Sequence, residues 1–162
     1  VAWRYDADLT LHERLGKQTF NNVHIDFGSA GDDRFLVRGW SGRETAAGLD
    51  YRWSDGPASS FVVRLKESAA YRLELRGAPF PVADEERQVI DVWVNDELAG
   101  RLALEPGMRT YDLAVAAAVV RSGYNEIELR YAYTASPRQL GRGDDPRRLA
   151  VQFDTLSLIR ES

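Results

Sequence analysis

The stretch Tyr71-Arg72-Leu73-Glu74-Leu75-Arg76 sets three apolar side chains against three charged ones in strict alternation. A period of two puts Tyr71, Leu73 and Leu75 on one face of an extended chain and the charges on the other, so the segment reads as a half-buried β-strand. The pattern recurs in both directions. Upstream, Val23, Ile25 and Phe27 alternate with His24 and Asp26, and Phe61, Val63 and Leu65 form a further run. Downstream, Val89–Val94 is nearly all apolar and suits a central strand, with Trp93 read as core. Ile127, Leu129, Tyr131 and Tyr133 alternate with Glu126, Glu128 and Arg130, and residues 149–159 form a long closing strand.

The punctuation between these runs is turn chemistry. Asn95-Asp96 joins Val89–Val94 to residues 98–104 as a tight hairpin, because Asn and Asp tolerate the positive φ such turns need. Asp55-Gly56-Pro57, Pro106-Gly107 and Ser122-Gly123 mark further turns, and residues 77–86 and 134–146, each with two prolines, read as loops. Helix is expected only over 9–15 and as a short turn within 115–121. Eight to ten closely spaced strands with little helix predict an all-β fold, an antiparallel β-sandwich of jelly-roll type spanning residues 22–162. Residues 1–21 lack the strand pattern and are expected to be a linker or a short helix laid across the sandwich from a preceding domain.

Composition narrows the function. The chain has 162 residues with 21 Lys plus Arg against 25 Asp plus Glu, a net charge of −4 that argues against binding nucleic acid through a basic surface. No apolar run approaches the roughly 18 residues of a membrane span. There is no cysteine, which removes disulfides, thiolate metal sites and thiol catalysis. Lys17 and Lys66 are the only lysines, an arginine bias that GC-rich codon usage explains without a ligand. The sequence starts at Val1 without a signal-like segment and is expected to be a mature or excised piece of something longer.

Four constellations carry residue types suited to chemistry. Gly39-Trp40-Ser41-Gly42 resembles a nucleophile elbow, but the second glycine of that motif would fall on Arg43, and only His12 and His24 are available as a base. Glu44, Asp50, Asp91 and Asp112 are carboxylates of the kind a small glycosidase pairs across a cleft. Asp26, Asp32, Asp33, Asp144 and Asp145 lie in or beside loops and are weak candidates for a structural calcium, although none follows a calcium-loop spacing. Trp40, Tyr51, Trp53, Trp93 and Tyr124 are rings on which the apolar faces of sugars stack. Trp40 and Trp53 stand at strand–loop junctions beside Glu44, Arg52 and Asp55.

Two sets of segments resemble a known family. Residues 92–102 (VWVNDELAGRL), Tyr111-Asp112-Leu113 and residues 122–127 (SGYNEI) are similar to the galactose-binding-like jelly rolls, with Asp96 where that family usually has Gly. Residues 31–36 (GDDRFL), 39–44 (GWSGRE), 51–56 (YRWSDG) and 144–149 (DDPRRL) resemble β-sandwich accessory domains attached to bacterial membrane glycosyltransferases and to extracytoplasmic sulfatase- or phosphatase-like enzymes. The resemblance implies a non-catalytic, carbohydrate-binding-type accessory module, extracytoplasmic and bacterial, that recognises glycan or docks on a neighbouring enzyme domain. It implies no cofactor beyond the candidate calcium. By position it points to Trp40, Glu44, Arg52, Trp53, Asp145 and Arg147. These six are expected to form either a sugar site or a buried arginine–carboxylate network pinning the loops, since a buried charge is tolerated only when paired. A purely structural or protein-interaction sandwich, and a small glycosidase or esterase, are the alternatives.

Overall fold

A computed structural model describes residues 19–83 and 86–162 of the chain. The expected helix over 9–15, and all but the last three residues of the expected 1–21 segment, lie outside the described residues. The strands in chain order are β1 (Asn22–Asp26), β2 (Leu36–Arg38), β3 (Trp40–Ala46), β4 (Leu49–Ser54), β5 (Ala58–Leu65), β6 (Tyr71–Pro79), β7 (Val89–Val94), β8 (Glu97–Ala103), β9 (Arg109–Val115), β10 (Gly123–Tyr131) and β11 (Val151–Arg160). They form two antiparallel sheets packed as a jelly-roll sandwich. One sheet has the order β2-β5-β10-β7-β8. The other runs β3-β4-β11-β6-β9, with β1 also paired to β11.

β11 organises the second sheet. Its first residues, Gln152 and Phe153, pair with β4, and residues 155–159 pair with β1 on the same side, while β6 runs along the whole opposite side. The register slips between Phe153 and Thr155, where the partner changes, and Asp154 accepts a 3.0 Å hydrogen bond from Arg76 Nε there. Between the sheets lies the core the alternation predicts. Leu73, Leu75, Ile127, Leu129, Phe61 and Phe153 are all buried within it. Burying this apolar surface is the main force holding the sheets together.

Trp93 is a correction. β7 alternates rather than burying every residue: Ile90, Val92 and Val94 face the core, and Val89, Asp91 and Trp93 face outward. An outward Trp is tolerated because the Arg130 guanidinium lies 4.1 Å from its ring centroid, covering the apolar face with a cation. The loop expected over 77–86 starts later, since Gly77–Pro79 still pairs with β11. The short turn within 115–121 is a 3-10 turn at Ala117–Val119.

Several motif residues prove to be architecture. Asn95 and Asp96 take φ of 50° and 68° in the β7–β8 hairpin. The Asn95 amide donates to Val119 O and to Asn125 Oδ1, and its carbonyl accepts from Glu126 N–H at 3.0 Å. The two asparagines that carry the galactose-binding-like resemblance thus tie one end of the sandwich together. Gly39 is where the chain leaves the five-stranded sheet for the six-stranded one. Its φ is 80°, and a Cβ there would lie 2.0 Å from Ala58 O. Gly39-Trp40-Ser41-Gly42 is therefore a sheet-crossing point leading into β3, not a strand-to-helix elbow.

Candidate functional site

Arg52 pairs across the sheet with Phe153, and cross-strand partners share a face, so its side chain is directed inward. A guanidinium placed there needs a carboxylate. Asp32, on the 3-10 turn Asp32–Arg34, supplies it. Arg52 Nε donates to Asp32 Oδ2 at 2.6 Å and Nη2 donates to Oδ1 at 2.8 Å, while Nη1 donates to Ser41 O at 2.9 Å. Asp32 Oδ2 also accepts from Gly28 N–H at 2.8 Å. The Asp32 side chain is 0% exposed and that of Arg52 11%. Arg52 is thus held in a buried ion pair whose acid is Asp32, a residue outside the six.

Trp40 turns inward as well. Its ring stacks on Phe27 at 5.0 Å and meets Phe153 edge-on at 5.2 Å, and its indole N–H donates to Ser60 O. It is thus partly buried, with one ring face taken up by Phe27.

The other four candidates gather on the outer side of the six-stranded sheet. Glu44 pairs with Tyr51, and Trp53 with Gln152, in register. Arg147, from the segment before β11, sits between Glu44 and Asp145. Its Nη1 donates to Glu44 Oε2 at 2.8 Å and to Ser41 Oγ at 2.7 Å, and its Nη2 donates to Asp145 Oδ2 at 2.7 Å. Hydrogen bonds from Arg147 hold the Asp145 carboxyl below the usual carboxylate range, and those to Asp145 raise Arg147 further above its ordinary value. Beside this cluster Tyr51 meets Trp53 edge-on at 6.4 Å, and Trp53 meets Phe80 at 5.7 Å. Burial, and then the Glu44 carboxylate, push the Tyr51 phenol up.

This aromatic ladder leads to the end of the sandwich where the β6–β7, β8–β9 and β10–β11 connections meet. A cleft of about 380 Å³ opens there, lined by Phe80, Arg87, Gln88, Leu104, Glu105 and Tyr133. A second, of about 280 Å³, lies beside it with Glu86, Thr134, Ser136 and Gln139 in its wall, and Tyr133 faces both. The Tyr133 phenol is pushed up by burial and then by the Glu86 carboxylate, so it stays protonated and able to donate. Gln88 is buried and anchors the base of this end. Its amide donates to Tyr133 O at 2.8 Å, and its carbonyl accepts from Ala132 N–H at 2.9 Å. Arg87 Nη1 and Glu105 Oε1 form a 2.6 Å ion pair in the wall. Phe80 and Gln88 are buried in the wall, so the groups that face the cleft are the half-buried Tyr133 with its phenol, the Glu86 carboxylate and the Arg87–Glu105 pair. The sequence marks Tyr133 only as a strand residue and gives no direct sign of Phe80 or Gln88 at a site. The available signal was an aromatic bordering each of the two proline-containing loops.

Ser41 and His24, and the carboxylates Asp50, Asp91 and Asp112, have other partners or surroundings among the described residues. Ser41 Oγ is held by Arg147, and His24 Nδ1 is 2.7 Å from Ser157 Oγ on an exposed strand face. Asp50 accepts from Thr45 Oγ1, Asp91 pairs with Arg101, and Asp112 is exposed on β9. Among the calcium candidates, both Asp32 oxygens are engaged as described, while Asp26, Asp33 and Asp144 are exposed. No three acidic or histidine side chains converge as a metal site among the described residues. Nor does any described helix have the length and apolarity to cross a membrane.

No protein-family profile matches the sequence, and a search of curated proteins finds no match. Solved structures do match in fold. The C-terminal CBM6 of LamC, a marine laminarinase from Zobellia galactanivorans, is 13% identical with a TM-score of 0.55, over 86% of this chain and 100% of that one. A family 35 carbohydrate-binding module from Clostridium thermocellum is 12% identical with a TM-score of 0.53, over 88% and 100%. The CBM36-1 domain of a multidomain xylanase from the hindgut metagenome of Trinervitermes trinervoides is 14% identical with a TM-score of 0.53, over 88% and 99%. At such identities the likeness shows the shared jelly-roll fold.

Proposed function

We propose that this chain is a non-catalytic carbohydrate-binding module that takes a short stretch of glycan into the cleft at the loop end. The observation that carries the reading is the cleft of about 380 Å³ with Phe80 and Tyr133 in its wall and polar groups around them. A concave site with aromatic walls and a few placed polar groups is the usual form of a small-ligand site. A sugar C–H face stacks on the Tyr133 ring, while the Tyr133 hydroxyl, Glu86 and the Arg87–Glu105 pair meet the hydroxyls. The fold shared with carbohydrate-binding modules supports the reading. An accessory role beside an enzyme domain of an extracytoplasmic bacterial protein fits it. Larger enzymes such as a ruminal GH26 endo-β-1,4-mannanase match this chain over 27% of their own length. Affinity is expected to be modest, because ordering side chains and sugar offsets much of what a shallow site gains.

The test is affinity electrophoresis against a panel of soluble neutral and acidic polysaccharides, followed by calorimetry on any that retard the protein. Tyr133→Ala is expected to weaken binding at least tenfold, a change of about 1.4 kcal/mol, with the thermal midpoint preserved. Retardation by no polysaccharide, or binding indifferent to Tyr133→Ala, overturns the reading.

A further inference from the structure

The connection from β10 to β11 supplies one wall of the cleft of about 280 Å³ that Tyr133 faces. Residues 136–142 of that connection form one tight helical turn. Leu140 N–H donates to Ser136 O, Gly141 N–H to Arg138 O, and Arg142 N–H to Pro137 O. Gly141 takes a φ of 70°. The last two bonds and a left-handed glycine make the closing motif of a helix C-terminus, which leaves the turn little internal freedom. Gln139 and the 45% exposed Leu140 ride on this turn and share the cleft with Tyr133.

A turn so closed moves as a unit, and its anchors decide where it stands. At one end the Arg142 guanidinium donates to Pro81 O and lies 5.7 Å from the Phe80 ring centroid. At the other end both contacts meet on a single atom. The Asp145 carbonyl oxygen accepts from Arg138 N–H at 2.9 Å and from Ser136 Oγ at 3.1 Å. The neck of the connection is fastened separately. Ala135 and Leu149 exchange two 2.8 Å bonds, and Arg148 N–H donates to Asp55 Oδ1 at 3.0 Å.

Asp145 is itself held by its side chain. The carboxylate accepts from Arg147 N–H, Nε and Nη2, and Arg147 Nη1 reaches Ser41 and Glu44 on the edge strand β3. A planar guanidinium bonded on two sides fixes direction as well as distance. A chain of hydrogen bonds therefore runs from β3 through Arg147 and Asp145 to the wall of the cleft. Each of the three guanidinium nitrogens already has a protein acceptor. A wall fixed before a ligand arrives costs less to order on binding.

We propose that Arg147 is a positioning residue of the glycan cleft: held between Glu44 and Asp145, it fixes where the 136–142 turn presents Gln139 and Leu140 beside Tyr133, and it touches no sugar itself. The proposal rests on the glycan reading of the cleft, and its experiment separates the two.

Amide hydrogen exchange of the full chain, followed by NMR without sugar, reads the first half. In Arg147→Gln the Arg138, Leu140, Gly141 and Arg142 amides are expected to exchange at least fivefold faster, with the Ala135 and Leu149 amides unchanged. Affinity electrophoresis in a soluble β-1,3-glucan, a β-1,4-mannan, a β-1,4-xylan and a polyuronate reads the second half. On whichever retards the intact protein, Arg147→Gln and Glu44→Ala are expected to weaken binding at least threefold. The Arg147 Nε–H resonance is expected to stay in place as that polysaccharide is added. Exchange unchanged at the turn, or quickened equally at the neck, overturns the inference. So does a sugar-dependent shift of Arg147 Nε–H, or binding that responds to Tyr133→Ala but not to Arg147→Gln and Glu44→Ala; the cleft reading then stands. Retardation by none of the four, or binding indifferent to Tyr133→Ala, takes down the cleft reading and this inference together.

Discussion

Replacing Asp32 by Ala removes the carboxylate that, among the described residues, meets the inward-facing Arg52. Two charge-assisted hydrogen bonds, at 2.6 and 2.8 Å, disappear, and the Gly28 N–H loses its acceptor. The guanidinium keeps its bond to Ser41 O but stays largely out of water, its side chain being 11% exposed. Breaking a buried pair by deleting one partner costs about 3–5 kcal/mol, because the remaining charge stays buried and uncompensated. At ~3 °C per kcal/mol for a domain of this size, a loss of ~4 kcal/mol lowers the thermal midpoint by ~12 °C. Calorimetry and urea unfolding of Asp32→Ala, Arg52→Met and the double variant measure it. The double variant is expected to lose no more than Asp32→Ala alone, since it removes the stranded charge. A cost below about 1 kcal/mol for Asp32→Ala, or a double variant equal to the sum of the singles, refutes the reasoning.

Asp145 is expected to titrate below the ordinary carboxylate range in a carboxyl-carbon NMR titration and to return toward it in Arg147→Gln. The sign follows from the depressed folded value: the contribution to stability is present above the unfolded pKa and is lost as pH falls through the folded one. Because both groups are partly solvated, that contribution is about 0–1 kcal/mol, read as a slightly smaller loss of stability on acidification in Arg147→Gln. Ala47 holds φ of 51° in the β3–β4 hairpin, ahead of Gly48 at 77°. Ala47→Asn is expected to raise stability in urea by about 0.5–1 kcal/mol, since Asn tolerates the left-handed region better. Trp40→Ala is expected to cost about 3–5 kcal/mol by emptying a site packed against Phe27 and Phe153, with calorimetry as the check.

The strands whose outer residues are charged declared themselves. β6 and β10 alternate cleanly because one side of each faces the core and the other water. β3 gave no such signal, since its residues are exposed or half-buried along its length and no face carries an apolar row. β4 hid for another reason: Arg52 occupies an inward position, and a buried arginine reads as a surface one until its acid is located. Asp32 looked like any loop aspartate for the same reason. Trp93 stands in an apolar run and yet faces outward, because a Trp fits a core or an arginine-capped outer face equally well. Glu44, Asp145 and Arg147 could be grouped from their segments, although about a hundred positions separate Glu44 from the other two. The clefts could not, because their walls come from three connections whose meeting depends on the wrapping of both sheets.

The placing of β11 has a consequence for how the molecule comes into being. It is the last strand in sequence, yet β1, β4 and β6 are all bonded to it. Until it emerges from the ribosome, those strands have no common template, and their apolar faces wait unsatisfied. Such a topology, closed by its final segment through distant pairings, belongs among slow folders, with times of ~ms to s. Any premature stop before residue 151 leaves a nascent chain with several adhesive edges and no way to conceal them.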